Sequence, residues 1–180
     1  MVFAVLLLLA PVAAAGQVRF VEVARQVGID YVHENGASPA KRLPETNGAG
    51  SAFLDWDGDG DQDLYLVNSG HMVDGRGDHW NRLYRNDGGV FARVAAAGGA
   101  RGASYGMGVA AADYDADGDP DLYLTAWGPD QLYRADPGGY TDVTESAGLG
   151  HPGWTTSAAF FDGDGDGDLD LVAAQYVRFE

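Results

Sequence analysis

The chain contains no cysteine. That absence removes disulfide scaffolds, thiol catalysis, Cys-ligated zinc and iron-sulfur clusters together. Basic residues are scarce as well, with 11 Lys and Arg against 27 Asp and Glu and a formal net charge of -16. A nucleic-acid binder must neutralise phosphates with positive charge, so that class of partner is excluded. Glycine is plentiful at 27 but does not recur every third residue, which excludes collagen. Long apolar runs are missing. The one candidate, F-A-V-L-L-L-L-A-P-V-A-A-A at 3–15, is too short to span a bilayer. It ends in small residues, with A-A-A before Gly16 offering an A-x-A-like cleavage site. The run lacks the usual preceding Lys or Arg, and a buried strand or helix is the alternative. Its length and its small residues favour a signal peptide over residues 1–15, and with it a secreted protein, extracellular or periplasmic, with no membrane span.

What the chain does have is acid in three places. With 46% hydrophobic residues there is material for a core. Fifteen aspartates fall in three nine-residue stretches. The first holds Asp55, Asp57, Asp59, Asp61 and Asp63; the second Asp113, Asp115, Asp117, Asp119 and Asp121; the third Asp162, Asp164, Asp166, Asp168 and Asp170. Without those fifteen, -16 becomes -1, so the acidity is local and not a solvating coat.

The stretches mark an internal repeat. Asp121 and Asp170 are 49 residues apart, as are Leu83-Tyr84-Arg85 and Leu132-Tyr133-Arg134. The first two stretches are 58 apart, and the nine extra residues lie between Leu64 and Leu83, around S-G-H-M-V-D-G-R-G. One surface-loop insertion accounts for the difference. Within each unit four short extended segments are expected. They are G-A-G-S-A-F-L (48–54), L-Y-L-V (64–67), R-L-Y-R-N (82–86) and V-F-A-R-V (90–94), echoed at 106–112, 122–125, 131–135 and 140–143. The third unit repeats the first two segments at 155–161 and 169–172. Aromatic and branched residues bounded by Asp-Gly, Gly-Gly and Pro-Gly are strand and turn chemistry, and four strands per 40 to 50 residues is the period of a propeller blade. Gly, Ala and Ser in the first segment suit the crowded strand nearest a propeller axis. A further fourth-strand copy, F-V-E-V at 20–23, precedes the first unit. The segments after the fourth strands, 24–29 and 144–149, are expected as short helical turns closed by Gly28 and Gly148.

Each acidic stretch reads D-x-D-x-D-G-D-x-D. Alternation places positions 1, 3, 5 and 9 on one side of a tight loop, with position 7 able to give its carbonyl. That many hard oxygen donors suits Ca2+ better than Mg2+, which demands near-ideal octahedra. Two carboxylates about 4 Å apart repel by about 4 kcal/mol at an effective dielectric of 20. Four of them, after discounting for spacing and salt, cost on the order of 10 kcal/mol, so an ordered loop requires a cation or protons. An EF-hand is excluded, because position 12 holds Leu66, Leu124 and Ala173 in place of a bidentate Glu.

The three D-x-D-x-D-G-D-x-D loops, the L-Y-R-N and L-Y-R-A segments, and F-V-E-V-A-R-Q-V-G-I with Y-T-D-V-T-E-S-A-G-L resemble the FG-GAP or VCBS repeat families. The likeness is nearest to the repeat region of the cartilage acidic protein and ASPIC/UnbV group, and it covers roughly 18–180. It implies an all-β chain: a partial β-propeller of four-stranded antiparallel blades, with calcium loops between first and second strands. About three Ca2+ would be held by the fifteen aspartates. The expected division is a signal peptide (1–15), an amino-terminal segment with one blade-closing strand (16–47), unit 1 (48–105), unit 2 (106–152) and a truncated unit 3 (153–180). No ASPIC-type carboxy-terminal domain is expected within these 180 residues, and the chain is expected to be a fragment or an open arc whose partners include the remaining blades.

His33, His71, His79 and His151 share no ligand spacing and accompany no Ser or Cys nucleophile motif, so they are read as surface or loop residues and no catalytic residue is assigned. Arg76-Gly77-Asp78 spells an adhesion tripeptide, which alone is a weak signal of cell adhesion. Of Trp56, Trp80, Trp127 and Trp154, most are expected to pack between blades, with an exposed binding face the alternative for the others. The expected function is a non-enzymatic, exported, calcium-binding module for a protein or glycan ligand. The alternative is the propeller portion of a larger secreted enzyme.

Overall fold

A computed structural model describes residues 18–72 and 80–177. The signal-peptide reading at 1–15, His79 and the tripeptide Arg76-Gly77-Asp78 lie outside the described residues. Ten strands and three short 3-10 turns make up the regular structure, with no α-helix among the described residues.

The first unit is an antiparallel meander of β1 (Ser51–Leu54), β2 (Asp63–Leu66), β3 (Arg82–Asp87) and β4 (Val90–Val94). Leu64 faces Tyr84 and Tyr65 faces Leu83 across β2 and β3, so the L-Y dipeptides of successive strands pack as cross-strand pairs. The second unit repeats the meander with β5 (Tyr105–Ala112), β6 (Asp121–Pro129), β7 (Gln131–Asp136) and β8 (Gly139–Asp142). The third contributes the hairpin of β9 (Pro152–Phe161) and β10 (Asp170–Val177). All eight strands expected in the two full units are present. The segment 20–23 is not a strand. Phe20 is 94% exposed, and among the described residues no strand pairs with the segment.

The units join through their first strands. Gly50 N–H donates to Met107 O at 2.9 Å, and β9 pairs with the far end of β6 through Trp154 with Trp127 and Gly153 with Gly128. Small residues permit this approach. A β-carbon on Gly108 would lie 2.8 Å from Thr125 Oγ1 and 3.1 Å from Thr156 O. The main core lies between units 1 and 2, where Leu54, Tyr65, Val67 and Leu83 meet Leu122, Leu124, Tyr133 and Tyr140. Trp127 and Trp154 meet edge to face at 5.2 Å, and Trp56 packs on the main core, in line with the packing expected of them. Trp80 differs: it is 38% exposed and lies under the Arg101 guanidinium at 5.6 Å.

The turn at Ala24–Val27 forms as expected and closes with Gly28 in the left-handed region at φ 97 and an Ile29 N–H bond to Ala24 O. The turn at 144–149 ends with the matching bond from Leu149 N–H to Thr144 O.

Candidate metal centres

The three acidic loops connect first to second strands: β1 to β2, β5 to β6, and β9 to β10. Each is organised from its first and last aspartate. Asp55 at position 1 turns its carboxylate into the loop, accepting from Asp59 N–H at 3.1 Å and Gly60 N–H at 3.0 Å. Asp113 does the same with Asp117 and Gly118, both at 3.0 Å. The glycine at position 6 is left-handed in all three loops, at φ 91, 102 and 96, which is why that position excludes other side chains at low cost.

Position 9 opens the second strand and is the deepest residue of the loop. Asp63 and Asp121 are both fully buried. Asp63 accepts from Trp56 N–H within the loop and from Asn86 N–H on β3, both at 2.7 Å. Asp121 accepts from Tyr114 N–H at 2.9 Å and Ala135 N–H on β7 at 2.7 Å. One carboxylate thus ties the loop to the third strand. In the third loop Asp170 accepts from Gly163 N–H at 2.8 Å but is exposed, because among the described residues no third strand covers it.

Positions 1, 3 and 9 converge. Asp55, Asp57 and Asp63, then Asp113, Asp115 and Asp121, then Asp162, Asp164 and Asp170, each bring carboxylate oxygens within 4.8 Å of one another. The other six of the fifteen aspartates stand outside these clusters. Asp59, Asp117 and Asp166 at position 5 accept from the N–H groups of Asp61, Asp119 and Asp168 at 2.8, 3.0 and 2.9 Å. Asp61 at position 7 accepts from Gly88 N–H at 2.8 Å, and Asp119 and Asp168 lie at the same position in the other loops.

The clustering raises the cost of ionisation. Burial, then the charges of Asp59 and Asp63, push the Asp57 carboxyl up. Burial also pushes Asp121 up to about 6, against the lowering effect of the Ala135 and Tyr114 N–H groups and with added repulsion from Asp115 and Asp117. Arg85 Nε reaches Asp57 at 3.8 Å, a long contact that neutralises little at a half-exposed site. Three convergent carboxylates of hard oxygen on a glycine-turned loop fit a divalent cation.

Elsewhere, His33 Nε2 lies 3.0 Å from Ser69 Oγ, but that hydroxyl donates to Gly106 O at 2.7 Å, so its proton is already committed. Burial holds the His33 imidazole below its ordinary value, which keeps it neutral. A second polar centre escaped the sequence reading. Buried Glu45 accepts from Ser38 N–H at 3.0 Å, Ser38 Oγ at 2.7 Å and Arg42 N–H at 3.2 Å, and pairs with Arg42 Nη1 at 3.2 Å. These partners hold its carboxyl down at about 2 and fix the long loop before β1. The S-x-x-x-R-x-x-E spacing is its only trace in the sequence.

An all-β chain of repeated antiparallel meanders, each with an acidic loop that fits a cation, defines a repeat protein of the β-propeller-like kind. Two stretches, 55–124 and 114–173, match the model of the FG-GAP-like repeat. They span most of the chain, which therefore belongs to the FG-GAP-like repeat family. No curated protein matches the chain. No helix among the described residues is long and apolar enough to cross a membrane.

Proposed function

We propose that the chain is an exported module of propeller blades whose acidic loops bind Ca2+, that it acts by binding a protein or glycan and not by catalysis, and that its repeats are of the kind found in the cartilage acidic protein and ASPIC/UnbV group. The observation that carries the metal reading is the convergence of positions 1, 3 and 9 in all three loops, in the same phase of the repeat. Bound calcium supplies the positive charge that the clustered carboxylates lack. The chain's own residues do the rest: the position-1 aspartates shape the loop, and buried Asp63 and Asp121 pass its order to β3 and β7 through Asn86 and Ala135. Ligand sites that are structural and half-exposed suit an extracellular setting, where modules work with dissociation constants of roughly 10⁻⁴ to 10⁻³ M.

Titration calorimetry with Ca2+, beside melting curves in EGTA and in calcium, tests the metal reading. At a calcium concentration about a hundred times the dissociation constant, each site selective for the folded chain adds about 2.7 kcal/mol. Mg2+ at the same concentration is expected to add less. Identical melting in EGTA and in millimolar calcium would refute it.

A further inference from the structure

One buried acid plays no part in the acidic loops. Asp130, between β6 and β7, is 4% exposed and lies at the opposite end of β6 from Asp121. The repeat places its counterpart at Asn81, which precedes Leu83 by two residues as Asp130 precedes Leu132 and is 3% exposed. The two side chains make the same pair of contacts. Asn81 Oδ1 accepts from Asn68 N–H at 2.8 Å, and Asp130 Oδ1 accepts from Ala126 N–H at 2.9 Å. Asn81 Nδ2 donates to Tyr65 Oη at 2.8 Å, and Asp130 Oδ2 lies 3.0 Å from Tyr123 Oη. Tyr65 and Tyr123 are themselves equivalent, 58 residues apart.

What differs between the two places is a proton. The Asn81 amide gives one to Tyr65, which leaves the Tyr65 hydroxyl to donate to Ala100 O in the turn after β4. An ionised Asp130 has none to give, so the Tyr123 hydroxyl donates to the carboxylate instead. Among the described residues no basic side chain pairs with Asp130. The titratable groups around it are Tyr123 on β6, Asp142 on β8, Glu145 in the turn that follows and His151 ahead of β9. Asp142 is engaged by Gln131 Nε2 at 3.0 Å. Burial lifts the Asp130 carboxyl above its ordinary range, against the lowering effects of the Thr155 hydroxyl, the Ala126 N–H and Tyr123. Thr155 on β9 is fully buried, yet its hydroxyl makes no hydrogen bond of good geometry, so it supports the charge only weakly.

We propose that Asp130 is a proton-binding site of the fold, whose neutral carboxyl takes the place of the Asn81 amide, its O–H donating to Tyr123 while its carbonyl accepts from Ala126. Ionisation leaves an unpaired negative charge buried between the second unit and β9 of the third. The junction of those units is therefore tighter in acid and looser toward alkaline pH, whereas the amide at the first junction does not titrate. The folded value lies above the unfolded one, so the contribution is complete below about pH 4 and is lost as pH rises through the folded value. This goes beyond the calcium reading, since the acidic loops lie at the other end of the strands.

Urea unfolding of the wild type and of Asp130→Asn, in calcium throughout and from about pH 7.5 to about pH 4.5, tests the site. Titration of the acidic loops is common to both chains and cancels in the ratio of their unfolding constants. Asp130→Asn is expected to be the more stable chain at about pH 7.5, and the ratio to fall at least about threefold by pH 4.5 or so, since each unit of raised pKa is worth about a factor of ten. Asn81→Asp is expected to install the same dependence at the first junction, less stable than the wild type at neutral pH and recovering as pH falls. If Asn81→Asp does not fold, Asp130→Asn alone carries the comparison. The ratio is expected to keep its pH dependence in a His151→Gln background. A ratio that does not change with pH overturns the inference, as does an Asp130→Asn chain less stable than the wild type at neutral pH. So does a pH dependence that disappears with His151→Gln, which assigns the titration to the imidazole.

Discussion

Asp121→Asn separates the two roles that the structure gives to position 9. The side chain is fully buried, accepts from Tyr114 and Ala135 N–H, and joins Asp113 and Asp115 in the second cluster. Asparagine keeps one acceptor oxygen and turns an N–H₂ toward the other backbone donor, so one bond to an ionised acceptor is lost, worth about 1.5 to 3 kcal/mol. Relief of carboxylate repulsion offsets part of this, leaving a net cost of about 1 kcal/mol in EGTA. In calcium at about a hundred times the dissociation constant the wild-type site gains a further 2.7 kcal/mol or so, which the variant forfeits. The calcium-dependent part of the loss is therefore about 2.7 kcal/mol, or about 5 to 11 °C in melting temperature for a chain of this size. Urea or thermal unfolding of both proteins in both conditions forms a cycle that reads this part directly. Asp119→Asn, at a position outside the cluster, is the control and is expected to cost less than about 1 kcal/mol in either condition. If Asp121→Asn loses the same stability with and without calcium, Asp121 is a strand latch only and the ligand assignment fails.

Calcium should damp the pH response of the acidic loops. Asp121 titrates near 6 in the folded chain against about 3.9 when unfolded, so its protonation favours the folded state, a contribution present below about pH 4 and lost as pH rises through about 6. In EGTA, urea unfolding is expected to show stability rising from pH 7 to pH 5; in calcium the ion competes with the proton for the same carboxylate, so the rise is smaller and the stability gap between the two buffers narrows, and parallel trends in the two buffers count against the scheme. Glu45, held at about 2, contributes stability above its unfolded value that is lost as pH falls from about 4.5 toward 2. Glu45→Ala should release the loop at 35–47 and open Lys41 and Arg42 to trypsin, with unchanged digestion the contrary result. Gly108→Ala places a methyl between Thr125 Oγ1 and Thr156 O and is expected to cost about 1 to 3 kcal/mol by overpacking. Gly48→Ala, which meets nothing within 4 Å, should be close to neutral in the same denaturation assay.

The strands and loops were legible because their signals are local. Alternation, L-Y-R segments and Asp-Gly turns act over a few residues, and three copies in fixed phase multiply a weak pattern into a strong one. The loop geometry was less legible. Spacing puts position 5 on the ligand side with positions 1, 3 and 9 but does not foretell that one carboxylate oxygen each of Asp59, Asp117 and Asp166 accepts from the N–H two residues ahead. A carboxylate on a tight loop has backbone donors within reach, and alternation says nothing of that competition. The strand expected at 20–23 shows the same limit from the other side. Its residues match β4 and β8, but a strand is a property of a pair, and the described fold puts no partner beside it.

The sequence by itself determined the repeat, the four-strand unit, the acidic loops and their number, since each is written in short-range residue order. Only the tertiary structure decided that Asp63 and Asp121 are latches between loop and third strand and that Glu45 organises the loop before β1. Those facts depend on atoms up to dozens of residues apart in the chain coming within a few ångströms. Side-chain identity fixes what a residue can bond, but only folding fixes what stands in front of it.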